Sequence, residues 1–308
     1  MEIIKLLNAL PGAVAQGLIW GLMAIGVYIT YRILDVSDLT VDGSIATGGA
    51  VAAILIINGW SVWAALLAAF VVGMLCGFVT GMFHTFFGIP AILSGILTQL
   101  ALYSVNLRIL GNKANVALSV NKYNLLVSSR NARALAVNNP IVILLIFTVC
   151  LIGVLYWFFG TELGCAMRAT GANRNMSRAQ GINTDTMKLV GLVLSNGLVG
   201  LSGALYTQYL GSVTVNMGRG AIVIGLAAVI IGEVLFSKIF RNFSLRLAGV
   251  VIGAIIYYVV IALVIQLGLN TDDLKLFSAA FVALALFIPY WKDHHGGKSL
   301  IKGGKNHA

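Results

Sequence analysis

Residues 141–188 read IVILLIFTVCLIGVLYWFFG and then TELGCAMRATGANRNMSRAQGINTDTMK, an unbroken apolar run followed by a polar, arginine-bearing segment, before a second apolar run begins. The first part is about as long as the roughly 20 residues that a helix needs to cross a hydrocarbon core of about 30 Å. Lipid offers no partners to backbone N–H and C=O groups, so a crossing segment must be a helix or part of a closed barrel. The run is continuous and does not alternate, which selects the helix. The second part, from Glu162 to Lys188, has a centre rich in small residues and no catalytic set, and reads as a surface made to touch another protein.

Composition extends this reading to the whole chain. Hydrophobic residues make up 59% of the 308 positions, charged residues 10%, and mean hydropathy is +0.95, which describes an all-α polytopic membrane protein. Apolar runs predict nine segments, near 12–33, 42–59, 62–87, 90–110, 141–159, 187–209, 219–236, 247–268 and 275–291, of which some in the first four could be re-entrant. No cleavable leader is expected, because the run from Gly12 to Tyr31 is long enough to remain as an anchor. The expected organisation is a transmembrane unit over 1–291, with a loop at 161–188, and a basic tail over 292–308. Cys76, Cys150 and Cys165 have neither pairing nor metal-ligand spacing and read as structural.

Orientation follows from lysine and arginine, which short loops retain on the cytoplasmic side. Arg168, Arg174, Arg178 and Lys188 fall in the loop quoted above. Lys238, Arg241 and Arg246 fall in the next loop but one, and Lys292, Lys298, Lys302 and Lys305 in the tail. Counting spans puts all three on one side, so the C-terminus is expected in the cytoplasm and the N-terminus outside. The stretch Asn112–Pro140, with Lys113, Lys122, Arg130 and Arg133, resists the rule and is counted outside. A net charge of +10 does not imply nucleic acid here, since the basic residues lie beside spans, where topology and anionic headgroups account for them.

Two echoes relate the halves. GLIWGLMAIGVYITY, from Gly17 to Tyr31, matches GLVGLSGALYTQY, from Gly197 to Tyr209, with a gap, and each is followed by a Gly/Ala-rich segment. In the counted topology the copies run in opposite directions, as in the inverted repeats of transporters, which suggests a pathway between the halves. Candidate pathway residues are Asp38, Thr40, Asp42, Ser44, Gln99 and Asn196. The aspartates read either as bordering a broken helix on that path or as caps of the following helix. Glu233 reads as an ion pair with Lys238 or Arg241. There is no HExxH, nucleophile elbow or P-loop, so the chain is not expected to be an enzyme, and no cofactor or metal is expected on it.

Within the polar loop, Asn173 to Gln180 predicts a short helix with Arg174 and Arg178 on one face and Met176 and Ala179 on another. Gly181 is placed to stop it, and Asn183 to start the next helix.

This loop is similar to that of the permease family of bacterial ABC importers that includes the branched-chain amino acid and ribose permeases. The likeness is carried by Arg168-Ala169, Asn173, Ala179 and Gly181-Ile182-Asn183, by Asp38-Leu39-Thr40-Val41-Asp42-Gly43, and by the IIGE ending at Glu233. The resemblance implies a multi-pass protein of the bacterial cell membrane that forms a dimer, here of identical chains. It further implies two cytoplasmic ATPase subunits holding ATP and Mg and binding a coupling helix formed by the residues from Arg168 to Asn183, and an extracytoplasmic binding protein that delivers the solute. Within that family the chain most resembles a branch associated with tryptophan or tyrosine uptake. The competing readings are an ion-coupled secondary transporter using Asp38, Asp42 or Glu233, and a membrane scaffold that transports nothing.

Overall fold

The structure, a computed structural model, describes residues 2–119, 122–123, 125–130, 139–236, 242–268 and 273–295. Arg133, Lys238, Arg241, Asp272, Lys298, Lys302 and Lys305 lie outside these residues.

Eleven α-helices are described: α1 (Glu2–Tyr28), α2 (Val41–Ile57), α3 (Val62–Thr85), α4 (Ala91–Ile109), α5 (Pro140–Gly160), α6 (Glu162–Ala172), α7 (Arg174–Ala179), α8 (Thr184–Leu210), α9 (Ala221–Phe236), α10 (Phe243–Gln266) and α11 (Leu274–His295). A π-helical turn, Ile29–Ile33, prolongs α1. Each of the nine apolar segments expected from sequence coincides with one of these helices. Six of them, α1 with its π-turn, α3, α4, α5, α8 and α10, are long and apolar enough to cross a membrane by length and composition. The helices α2 and α9 are apolar but have only 17 and 16 residues, short of a full crossing at 1.5 Å per residue.

Local chemistry sets the ends. Ser61 accepts the Ala64 N–H at the start of α3, and Asn139 accepts the Ile141 N–H at the start of α5, where Pro140 occupies a position that needs no donor. Gly211, with φ of 69°, closes α8 in the left-handed region.

Packing divides the helices into an interior and a lipid-facing set. Side chains of α3, α4 and α5 such as Leu67, Leu100, Val149 and Trp157 are exposed, as expected where the solvent is hydrocarbon. α2 and α8 are largely buried, and α8 packs on α3 and α2 while α1 packs on α10 and α9.

The α2–α8 crossing is made by absent side chains. A Cβ added at Gly48 would stand 2.1 Å from the Gly200 carbonyl oxygen, and one at Gly203 would stand 2.0 Å from that of Ile45. Small residues let backbones meet in lipid, where dispersion replaces the hydrophobic drive. Ser195 and Ser202 of α8 donate to the Gly26 and Ile19 carbonyls of α1, each at 2.7 Å.

A short antiparallel ribbon pairs β1 (Asn115–Ala117) with β2 (Ser212–Thr214). It brings the stretch after α4 and the turn after α8 to the same end of the bundle.

Candidate translocation and coupling site

The connector between α1 and α2, residues 34–40, turns the chain into the interior beside the middle of α8. Asn196 is twelve residues into this 27-residue helix, about 18 Å along an axis of about 40 Å. The Asp38 carboxylate accepts the Asn196 amide at 2.6 Å with one oxygen and the Thr40 N–H at 2.9 Å with the other. Ser44 donates to the Asn196 Oδ1 at 2.6 Å. A second chain of hydroxyls links Thr40 to Thr80 at 2.7 Å and Thr80 to Thr98 at 2.9 Å, joining α2, α3 and α4. All six side chains are buried. A carboxylate at this depth persists only when its oxygens have donors, and the network gives each oxygen one.

Asp42 has a different partner. Its two oxygens accept the backbone N–H groups of Gly220 and Ile222, both at 2.9 Å. It therefore caps not its own helix but α9, 178 residues away, satisfying amide groups that open a helix whose own first turn holds no acidic residue. The first turns of α2 and α9 are thereby tied together. Gly218 sits against the same place, since a Cβ there would lie 1.9 Å from the Asp42 carbonyl oxygen.

Of the six candidate pathway residues, Asp38, Thr40, Ser44 and Asn196 fall in one network, Asp42 stands at the α2–α9 junction, and Gln99 lies half-buried on α4 where that helix crosses α2 at Gly43. Asp38 also borders a cavity of about 260 Å³ whose other walls include Val27, Tyr31, Val36, Ile92, Ile222 and Leu226. The cavity is apolar except for Asp38 and the hydroxyls of Thr30, Tyr31 and Ser37. Thr80 and Thr98 are the members that sequence reading missed. Single threonines in apolar runs carry no signal of their own.

At the other end of α8 the polar loop folds into α6 and α7. Thr161 caps α6, accepting the Gly164 N–H. Asn173 caps α7, accepting the Met176 N–H at 3.0 Å, and the buried Ser177 returns a bond to the Asn173 carbonyl. Gly181 takes φ of 82°, a conformation that disfavours side chains, and Asn183 caps α8 by accepting from Asp185 and Thr186. Ile182 is half-buried.

Arg178 folds onto the start of α8, donating to Thr184 at 2.8 Å and pairing with Asp185 at 3.3 Å. Arg168 donates to the Phe159 carbonyl at 2.8 Å and lies over the Phe243 ring. On α7, Arg174, Asn175, Met176, Arg178 and Ala179 are exposed and Ser177 is buried. Gly171 of α6 rests on the Ile33 carbonyl, where a Cβ would stand 1.7 Å away, just before the connector that carries Asp38. Glu233 pairs with Arg32 at 2.8 Å; the basic residues expected as its partners, Lys238 and Arg241, lie outside the described residues. No group of three or more His, Cys, Asp or Glu side chains able to hold a metal is found among the described residues.

Residues 10–289 match the family model described as the branched-chain amino acid transport system / permease component. The chain belongs to this family. The permease is therefore the membrane component of an ABC transport system and not its catalytic part. It is 40% identical over 277 residues to the tyrosine transport system permease protein of Clostridioides difficile, covering 90% of each chain. It is 28% identical to the fructose import permease protein FruF of Bifidobacterium longum, over 84% of this chain and 71% of that one. Autoinducer 2 import permeases of Yersinia pestis align at 29% identity over 76% of this chain and 62% of theirs. Among solved structures, the chain resembles PsaBC from Streptococcus pneumoniae in complex with Fab, with a TM-score of 0.54 and 15% identity over 93% of this chain and 96% of the other. That likeness concerns the fold.

Proposed function

We propose that this permease imports an amino acid with an aromatic or branched apolar side chain, driven by ATPase subunits on the cytoplasmic face. The observation that carries the solute class is the cavity at Asp38, whose walls suit an apolar side chain while the single carboxylate suits an ammonium group. The name of the 40% identical relative agrees with it.

In this reading residues 1–291 act as one translocating unit with nine membrane segments and an inverted repeat, and 292–308 form a cytoplasmic tail. The mirrored packing of α1 on α9 and α10, and of α8 on α2 and α3, supports the repeat, as does the meeting of two short helices at their amino ends near mid-helix depth. Thr40, Ser44, Gln99 and Asn196 hold Asp38 and α2 in place instead of touching the solute. Two copies of the chain enclose the path, and an extracytoplasmic binding protein delivers the solute.

The loop 161–188 receives the motor. Met176 and Ala179 on exposed α7 dock into the ATPase, while Asn173, Gly181, Ile182 and Asn183 shape that helix and Arg168 and Arg178 brace it. Proteoliposomes with the permease, its ATPase and its binding protein are expected to take up labelled tyrosine or a branched-chain amino acid only with ATP. Gradient-driven uptake by the permease alone would instead establish a secondary transporter. Asp38→Asn is expected to lower uptake at least tenfold while leaving ATPase co-purification intact. A further expected result is that Met176→Glu with Ala179→Glu weakens ATPase retention about tenfold, the effect of burying charge at a central contact. Unchanged retention in a pull-down would remove α7 from the interface.

A further inference from the structure

Three arginines from separate helices converge where α1, α6 and α10 meet. Arg32, Arg168 and Arg246 line a cavity of about 380 Å³ together with Tyr28, Gly171, Ala172 and Phe243. A second cavity of about 430 Å³ shares Arg168 and Phe243 and continues along the end of α5 past Tyr156, Trp157 and Gly160. Among the described residues, no carboxylate lines either one.

Charge in this place is only partly answered. Arg32 is neutralised by Glu233. Arg168 has a carbonyl, a thiol and an aromatic face as its partners, but no anion among the described residues. Arg246 is exposed, and no carboxylate pairs with it among the described residues. Two guanidinium groups thus face a space wide enough for a phosphate, with donors suited to bidentate recognition. The neighbouring apolar wall is exposed: Tyr156 and Trp157 are 57% and 71% accessible. Amphipathic rings of this kind mark the depth of headgroups, and basic pockets between membrane helices accept anionic ones. The groove has a charged end, beyond the C-terminus of α5, and an oily end beside Tyr156 and Trp157.

From this juxtaposition we propose that the permease holds an anionic glycerophospholipid in the paired cavities, its phosphate between Arg168 and Arg246 and its acyl chains along α5 beside Trp157. The site is distinct from the Asp38 cavity and does not depend on which solute or motor the permease uses. Because α6 forms one of its walls, an occupied site would brace the helix that leads into α7.

Native mass spectrometry of the purified full-length chain, titrated with phosphatidylglycerol or phosphatidylcholine, tests the proposal. Phosphatidylglycerol is expected to bind in preference. The double variant Arg168→Gln, Arg246→Gln is expected to bind it about 30-fold more weakly, at roughly fivefold per basic residue beside an anionic surface. Phosphatidylcholine binding should not change, nor should Arg108→Gln, which removes an exposed charge elsewhere, have any effect. Should loss of the Phe159 contact prevent folding of the double variant, Arg246→Gln alone is expected to show the fivefold loss. Equal binding of the two lipids, or full binding by the variants, would overturn the proposal. Displacement of the lipid by millimolar inorganic phosphate would reassign the pocket to a free anion. Loss of ATPase retention in the variants with unchanged lipid binding would reassign it to a protein contact.

Discussion

Asp42→Ala is expected to cost about 3–5 kcal/mol and to collapse the yield of folded permease. The side chain supplies two charge-assisted bonds to the first turn of α9, each contributing about 1.5–3 kcal/mol, and its removal leaves two half-buried amide donors without that acceptor. A shift of several degrees in melting temperature follows from a loss of this size. Asp42→Asn keeps one acceptor oxygen but turns an amide NH₂ toward the other backbone donor, so about half the loss is expected. Thermal unfolding in detergent, followed by the monodisperse fraction in size-exclusion chromatography, measures both variants. A melting temperature within 2 °C or so of wild type for Asp42→Ala would show that α9 holds its position without the carboxylate.

Gly48→Val should be as severe for a different reason. Where the Cβ would stand 2.1 Å from the Gly200 oxygen, the obstacle is backbone, so α2 must move away from α8 as a body. Overpacking at flexible sites costs about 1–3 kcal/mol; here the displaced helix also carries Ser44 and Asp42, and a larger loss is expected. Gly153 offers the contrast, since a Cβ there meets nothing within 4 Å. Gly153→Ala in mid-helix is expected to be neutral or to stabilise by about 0.5–1 kcal/mol. Limited proteolysis of the two variants side by side would distinguish backbone contact from glycine content in general. Equal resistance would mean that the α2–α8 crossing yields more readily than its geometry indicates.

What the sequence made legible is what is encoded locally. The helix ends near Gly181 and Asn183 follow from one left-handed residue and one side-chain cap within three positions, and the helical segments follow from runs of apolar residues. The expected ranges 42–59 and 187–209 agree with Val41–Ile57 and Thr184–Leu210 to within three residues. Asp38 and Asn196 both read from sequence as candidate pathway residues, yet nothing in either neighbourhood says that each is the other's partner. Asp42 was harder to place, because its partners are backbone amides, which every residue but proline possesses, so no side chain at 220 or 222 betrays the contact. Glu233 shows the same limit: sequence proximity favours Lys238 or Arg241, while the fold returns Arg32 from the end of α1. The three-residue β-ribbon is too short for an alternating pattern and had no local signature.

The contact of Gly171 with the Ile33 carbonyl has a mechanical meaning. The segment comprising α6 and α7 touches the chamber by two routes: through Asn183 it is continuous with α8, which carries Asn196, and through Gly171 it bears on the chain just ahead of Asp38. Under the proposed coupling, a thrust delivered to α7 would arrive at both ends of a single 2.6 Å bond. If the two routes transmit it equally, the bond rides along unbroken; if they differ, the thrust becomes shear across it. In the proposed coupling, the segment would work as a forked lever whose two tines hold the two halves of one hydrogen bond, and the difference in travel between the tines would set how far the Asp38 cavity opens per stroke.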